Sequence, residues 1–283
     1  MSIDITSISH TSGQINEDII GYNAQAIWVL DGATSISGRK TLIHKLPQSD
    51  ASWFVGQFSH HFSKLDHDID LTTQLKSISQ LIQQQSSTVW KNWDDQDIPS
   101  ASFSAAFYDQ KNIFLYNLGD CRVLYQLDDE PIQHFGQSNV EALDTALLQQ
   151  YKHLSQQSPR PSHKEIWQQL VSQIRSNRLR MNQANGYWIL SPDGLGIDHL
   201  QQIHLNYHQN AKVLLSSDGL YRLVDTYNDM TDQQFFSQAF QPNGLNQLLA
   251  RLRKIELNDP EAMDYPRVKL QDDASAVLLY IHQ

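Results

Sequence analysis

Five short acidic motifs are spaced along the chain, each at the edge of an apolar run. Asn16-Glu17-Asp18 precedes a short apolar stretch, and Asp31-Gly32 ends the run Ile27-Trp28-Val29-Leu30. Gly119-Asp120-Cys121-Arg122 lies between two such runs, Asp218-Gly219-Leu220 follows Val213-Leu214-Leu215-Ser216-Ser217, and Asp272-Asp273-Ala274-Ser275 opens the last run. Acids at strand ends can converge on one edge of a sheet sandwich, and converging carboxylates repel one another unless a cation neutralises them. Oxygen-only donors suit hard cations such as Mg²⁺ or Mn²⁺ better than zinc. The glycine after Asp31 lets other backbone approach closely, so the Gly32 carbonyl is a further candidate donor. Taken singly, an Asp-Gly pair reads as a turn; an ordered set of five is harder to read that way.

Short elements must carry these motifs. Strands are expected at Ala26–Leu30, Ala101–Tyr108, Ile113–Leu118, Arg122–Leu127, Lys212–Ser216 and Ala274–His282, all β-branched or aromatic runs bounded by Gly, Asp or Asn. With turns at Lys111-Asn112 and Gly119-Asp120, Ala101–Leu127 reads as an antiparallel meander. The spacing of Phe54, Phe58, Phe62 and Leu65 predicts a helix over Ala51–Leu65, and that of Leu71, Leu75, Ile78, Ile82, Val89 and Trp93 one over Leu71–Trp93. Further helices are expected at Pro161–Leu179 and at Gly244–Ile255, the latter with Asn243 as N-cap. Strands in runs with helix pairs between them favour an α+β fold of antiparallel sheets with helices packed outside. Residues 128–165 are the least patterned and read as a flap or insertion in an otherwise single domain spanning 1–283.

Composition narrows the function. The 283 residues carry a formal net charge of −10, with 31 Asp and Glu against 21 Lys and Arg, which argues against nucleic acid as the main partner. The stretch Met1 to Gly13 is polar and has no secretory pattern, and no apolar run is long enough to span a bilayer. The single cysteine, Cys121, rules out an intrachain disulfide and fits a cytoplasmic protein. The twelve histidines show no paired metal-ligand spacing. Trp28, Trp53, Trp167 and Trp188 read as core residues.

In their order the five motifs resemble those of the metal-dependent serine/threonine protein phosphatases of type 2C, the PPM family, with this chain a divergent, bacterial-like member. The matching positions run from residue 16 to 275. The resemblance implies an α-β-β-α four-layer sandwich, two antiparallel sheets flanked by helix pairs. It implies two Mn²⁺ or Mg²⁺ ions about 4 Å apart and a hydroxide bridging them that attacks the phosphorus of phosphoserine or phosphothreonine in line. Asp31 would bridge both ions, Asp218 and Asp272 would complete one site, and Glu17 with the Gly32 carbonyl would hold the other. Asp18 would hydrogen-bond a metal-bound water, and Asp120 would belong to a weaker third site. The implied partner is a phosphorylated protein, met by a monomer.

Three positions depart from the family pattern. The phosphate-binding arginine expected four residues before Glu17 is Gly13, and Arg39 is the candidate substitute. The histidine that some relatives carry after Asp-Gly is Ala33. The acid found in others four residues after Asp218 is Arg222, a fixed cation in place of a metal ligand or a solvent-facing side chain. Cys121 stands where the motif has serine, and reads as a small buried residue rather than a redox-sensitive thiol. These departures keep two alternatives open: a pseudophosphatase that binds a partner without turnover, and a small-molecule phosphoesterase.

Overall fold

In β3 (Ala26–Ala33) both faces are apolar and buried, so the strand must lie between two packed layers. Trp28 and Leu30 face a helical layer, whereas Ile27 and Val29 face a second sheet. The same division runs through the computed structural model, which describes residues 2–33, 49–65, 70–86, 97–128 and 130–282. One five-stranded antiparallel sheet has the order β2-β3-β4-β5-β8, with β2 Asp18–Tyr22, β4 Ser100–Tyr108, β5 Asn112–Leu118 and β8 Gln201–Asn206. The other has the order β1-β10-β9-β6-β7, with β1 Ser2–His10, β6 Arg122–Leu127, β7 Gln133–Phe135, β9 Asn210–Ser216 and β10 Ala274–His282.

Val123, Val213, Leu215, Val277 and Leu279 meet Ile27, Val29 and Leu115 between the sheets. Outside the first sheet lie α1 (Asp50–Phe62) and α2 (Leu71–Ser86). Ser49 caps α1 by accepting from the Ser52 amide at 3.0 Å, and Phe54, Phe58 and Phe62 pack as one buried stripe against Phe103. Outside the second sheet lie three helices rather than two: α5 (Asp218–Asp225), α6 (Asp232–Ala239) and α7 (Gly244–Asn258). The result is the expected α+β sandwich of four layers. A further pair, α3 (Val140–Ser155) and α4 (His163–Arg178), has its own small core of Leu147, Tyr151, Ile166 and Leu170. Among the described residues no helix is long and apolar enough to cross a membrane.

Several expectations are corrected. The meander does not exist: β4 and β5 pair as expected, but after Gly119-Asp120 the chain crosses to the other sheet, where β6 pairs with β9 and β7. The turn is a bridge between sheets because Asp120 is tied back to β4, its amide donating to Ser102 Oγ at 3.1 Å. Asn243 does precede α7, yet in a left-handed conformation with no side-chain cap bond; its Oδ1 accepts from Asn246 Nδ2 instead. Trp167 is exposed, because α4 buries only Ile166, Leu170 and Arg178. The expected second helix ends at Ser86, and its last part, 87–93, lies outside the described residues.

Phe103 is wholly buried with ring centroids 5.9 Å from Phe58 and 5.2 Å from Phe62, so it joins the first sheet to α1. Phe103→Ala should cost about 3–5 kcal/mol, read as a lowered urea midpoint with an unchanged slope. A loss below about 1 kcal/mol would show that this layer is loosely packed.

Candidate active site

The acids gather because of strand register. Asp18, the first residue of β2, lies directly opposite Asp31 near the end of β3. Asp31 in turn lies opposite Ser102 on β4, and the Ser102 hydroxyl bonds the Asp120 carboxylate across the sheet crossover. From the second sheet, β9 ends at Ser216 and α5 starts at Asp218, whose amide points at Asp31 Oδ2 from 3.4 Å. Thus Asp18 and Asp31 from one strand pair, with Asp120 and Asp218 from two distant stretches of sequence, share one end of the sandwich.

Close backbone approach completes the cluster. The Gly32 amide donates to the Glu17 carbonyl at 3.1 Å, and a Cβ on Gly32 would lie 2.5 Å from that oxygen. A Cβ on Gly219 would lie 1.9 Å from the Asp273 carbonyl, so only glycine lets α5 start against the segment Asp272-Asp273 that leads into β10. Asp273 is the anchor of the first loop. Its Oδ1 accepts from the Ser12 amide at 2.8 Å and its Oδ2 from the Glu17 amide at 2.7 Å.

Crowding out of water shapes the charges. Burial above all, then the charges of Asp18, Asp218, Asp120 and Asp272, push the Asp31 carboxyl well above the carboxylate range. Burial raises Asp18 to about 7; the hydroxyls of Ser217 and Ser275 oppose the rise, and Asp272 and Asp273 add to it. Asp120 rises to about 6 through burial and then Asp218, against its bond with Ser102. Asp272 goes the other way. Burial would raise it, but Lys269 and Arg222 outweigh that and hold it below the usual range. Arg222 Nη2 donates to Asp272 Oδ2 at 2.6 Å, and Lys269 Nζ lies 3.0 Å from Oδ1 and 2.9 Å from Oδ2. Arg222 is therefore not a solvent-facing side chain.

Several contributors carry no sequence signal of their own. Lys269 and Asp272 sit on a loop wired by a buried pair, Arg267 Nη1 to Asp259 Oδ2 at 2.7 Å, with Arg267 Nε also donating to the Leu270 carbonyl. Asp144 of α3 keeps accessible surface, yet desolvation and then the charges of Asp120 and Asp218 push it up to about 7. Arg178, at the end of α4, donates through Nη2 to the Ala33 carbonyl at 3.1 Å and the Ile98 carbonyl at 2.7 Å. Cys121 is buried between the sheets, its thiol pushed well up by burial and then by Asp31, which makes it a poor nucleophile. Arg39 lies outside the described residues.

The donors the site offers a cation are all oxygens, and Asp18 Oδ2 is a buried atom with no hydrogen-bond partner, as a ligand or proton acceptor would be. Among the described residues no three acid, histidine or cysteine side chains form a ready-made cation cage. The Asp18–Asp31–Asp218 end fits a cation in its chemistry, whereas Asp272 has both carboxylate oxygens already on cationic side chains.

The raised carboxyls set a pH dependence for the metal-free protein. Asp18 binds its proton with a pKa of about 7 when folded and about 3.8 when unfolded. Between those values the folded state holds more protons, so stability falls as pH rises through the window. In chelator the melting temperature should climb as pH is lowered from about 8 to about 5, and Asp18→Asn should flatten that slope. An unchanged slope in the variant would mean that Asp18 is not the titrating group.

Comparison with solved structures supports the same architecture. The catalytic domain of the serine/threonine protein phosphatase PstP, solved with two manganese ions, aligns with a TM-score of 0.54 at 13% identity over 99% of each chain. Stp1 of Staphylococcus aureus aligns at 0.55 and 14% identity over 100% of this chain and 96% of its own. PppA of Pseudomonas aeruginosa aligns at 0.55 and 13% identity over 99% and 97%. At such identities the likeness speaks to fold alone. No curated protein sequence matches this chain. The family described as Protein phosphatase 2C matches residues 9–257, nearly the whole chain and all but the last of the five acidic motifs, and the chain belongs to that family.

Proposed function

We propose that this chain hydrolyses phosphoserine and phosphothreonine in proteins, with divalent cations held at the acidic end of the sandwich. The observation that carries the reading is the register placing Asp18 opposite Asp31 with the Asp218 amide on the Asp31 carboxylate. Asp31, Asp218, Glu17 and the Gly32 carbonyl are the residues that would hold Mn²⁺ or Mg²⁺, with Asp120 beside them. When bound, the cations would activate water as a nucleophile and draw charge from the phosphate oxygens.

The chain's own residues do the rest. Asp18 Oδ2, buried and unpartnered, takes the proton of the attacking water. Asp273 holds the Ser12–Glu17 loop against the site, so the approach of phosphate is set by backbone rather than by a mobile side chain. Water rather than a side chain is the nucleophile in this reading, consistent with the inert position of Cys121.

Two observations favour a second reading, partner binding without turnover. Gly13 stands where relatives present an arginine to the phosphate, and Asp272 is engaged by Arg222 and Lys269. An assay with Mn²⁺ on a phosphopeptide and on a small aryl phosphate separates a protein phosphatase, a small phosphoesterase and an inactive binder.

Asp31→Ala should lower kcat by about a hundredfold or more and leave the fold intact, because removing one acid relieves repulsion within the cluster. Near-normal kcat would reduce Asp31 to a turn residue. Full activity after exhaustive chelation would remove the cation reading altogether.

Gly13→Arg is sterically free: a Cβ there meets nothing within 4 Å, and the residue is not among those with positive φ. The added guanidinium should lower KM for a phosphopeptide by about tenfold, with Gly13→Ala as the control. If Arg39 already fills that role, Arg39→Ala raises KM and Gly13→Arg adds nothing. No effect from either variant in an active enzyme would displace the phosphate pocket from this loop.

A further inference from the structure

Arg222 is the one cation drawn into the acidic centre from the same helix that supplies Asp218. Its side chain is 11% exposed and its partner Asp272 15% exposed, and Nη1 also donates to the Lys269 carbonyl at 3.3 Å. A hydrogen-bonded guanidinium in so enclosed a place cannot swing away cheaply. Lys269 also meets Asp272 and does more than Arg222 to hold it ionised, but its side chain is 61% exposed and can leave the carboxylate at little cost. The two donors leave neither oxygen of Asp272 bare. A divalent cation placed on Asp272 would stand against the fixed charge of Arg222 at contact distance.

We propose that Arg222 is a built-in counter-cation that closes the Asp272 end of the centre to divalent ions, so that the chain takes up fewer of them, and more weakly, than the same centre without this charge. This rests on the cation reading given above. Arg222 acts through Asp272 and is a positioning residue.

Calorimetric titration of the chelator-stripped protein with Mn²⁺, paired with equilibrium dialysis for stoichiometry, tests it without reference to turnover. Arg222→Gln should bind one more Mn²⁺ per chain than the unmodified protein, or bind it at least about tenfold more tightly. Arg222→Lys keeps the charge and should stay close to the unmodified protein; Lys269→Met should change affinity only slightly. Circular dichroism checks that each variant is folded. If Arg222→Gln unfolds, Asp272→Asn decides: an acid closed to cations can be neutralised with Mn²⁺ stoichiometry and affinity unchanged, and the loss of a bound ion would overturn the proposal. Equal stoichiometry and affinity in the unmodified protein and folded Arg222→Gln, or a gain in Arg222→Lys as large as in Arg222→Gln, would overturn the proposal while leaving the cation reading in place. No Mn²⁺ binding by any form would remove both.

Discussion

Like charges brought together out of water are the constraint around which this molecule is organised. The β2–β3 strand pair brings Asp18 opposite Asp31, but Asp120 and Asp218 arrive from distant stretches, and no local segment could assemble all four. Only a sandwich with strand ends meeting at one edge holds them in place, and the interactions that do so are mostly backbone: the β2–β3 register, the Gly32 amide on the Glu17 carbonyl, and the tight start of α5 against β10. Backbone is the appropriate material for this task. It does not repel the acids, and two buried sheets fix it more firmly than any side chain could be fixed. The core between the sheets therefore serves the site directly. Ile27 and Val29 anchor the strand whose next acid is Asp31.

The centre is also polarised. At the Asp18–Asp31 end burial dominates and the carboxyls are driven toward the protonated form; at the Asp272 end fixed cations dominate and the carboxyl stays ionised. The loop between α7 and β10 makes this asymmetry possible. Asp259 accepts from the amides of Met263, Asp264 and Tyr265 and pairs with Arg267, so the segment leading to Lys269 and Asp272 has a defined course despite lacking regular structure. The buried Arg267–Asp259 pair thus shapes a distant charge balance as well as a loop.

The legibility of these features in the sequence followed burial. Strands packed on both faces, such as β3 and β10, carry dense apolar runs and were readable, β10 to its last residue. Edge strands were not: β1 spaces its three isoleucines irregularly among polar residues and buries none of them fully, and β8 alternates exposed Gln202 and His204 with only partly buried positions. α3 was missed because it buries only Leu147 and Tyr151. The crossover at Gly119-Asp120 defeated local reasoning because a hairpin turn and a change of sheet look alike in sequence; the partner that decides between them, Ser102, is eighteen residues away. In the site, the acids at strand ends were legible because their neighbours are apolar. Asp144 and Lys269 had no such frame, and Asp273 was visible only as part of a motif, without the role of holding the first loop.

Arg178 links the most independent part of the molecule to its most constrained part. Helix α4 otherwise packs chiefly with α3, yet its last arginine grips the carbonyls of Ala33 and Ile98, the former two residues beyond Asp31. Through those two bonds the α3–α4 pair is fastened to the backbone of β3, next to the acid that lies at the middle of the cluster. In mechanical terms the helix pair is a lever with its short arm in the active centre.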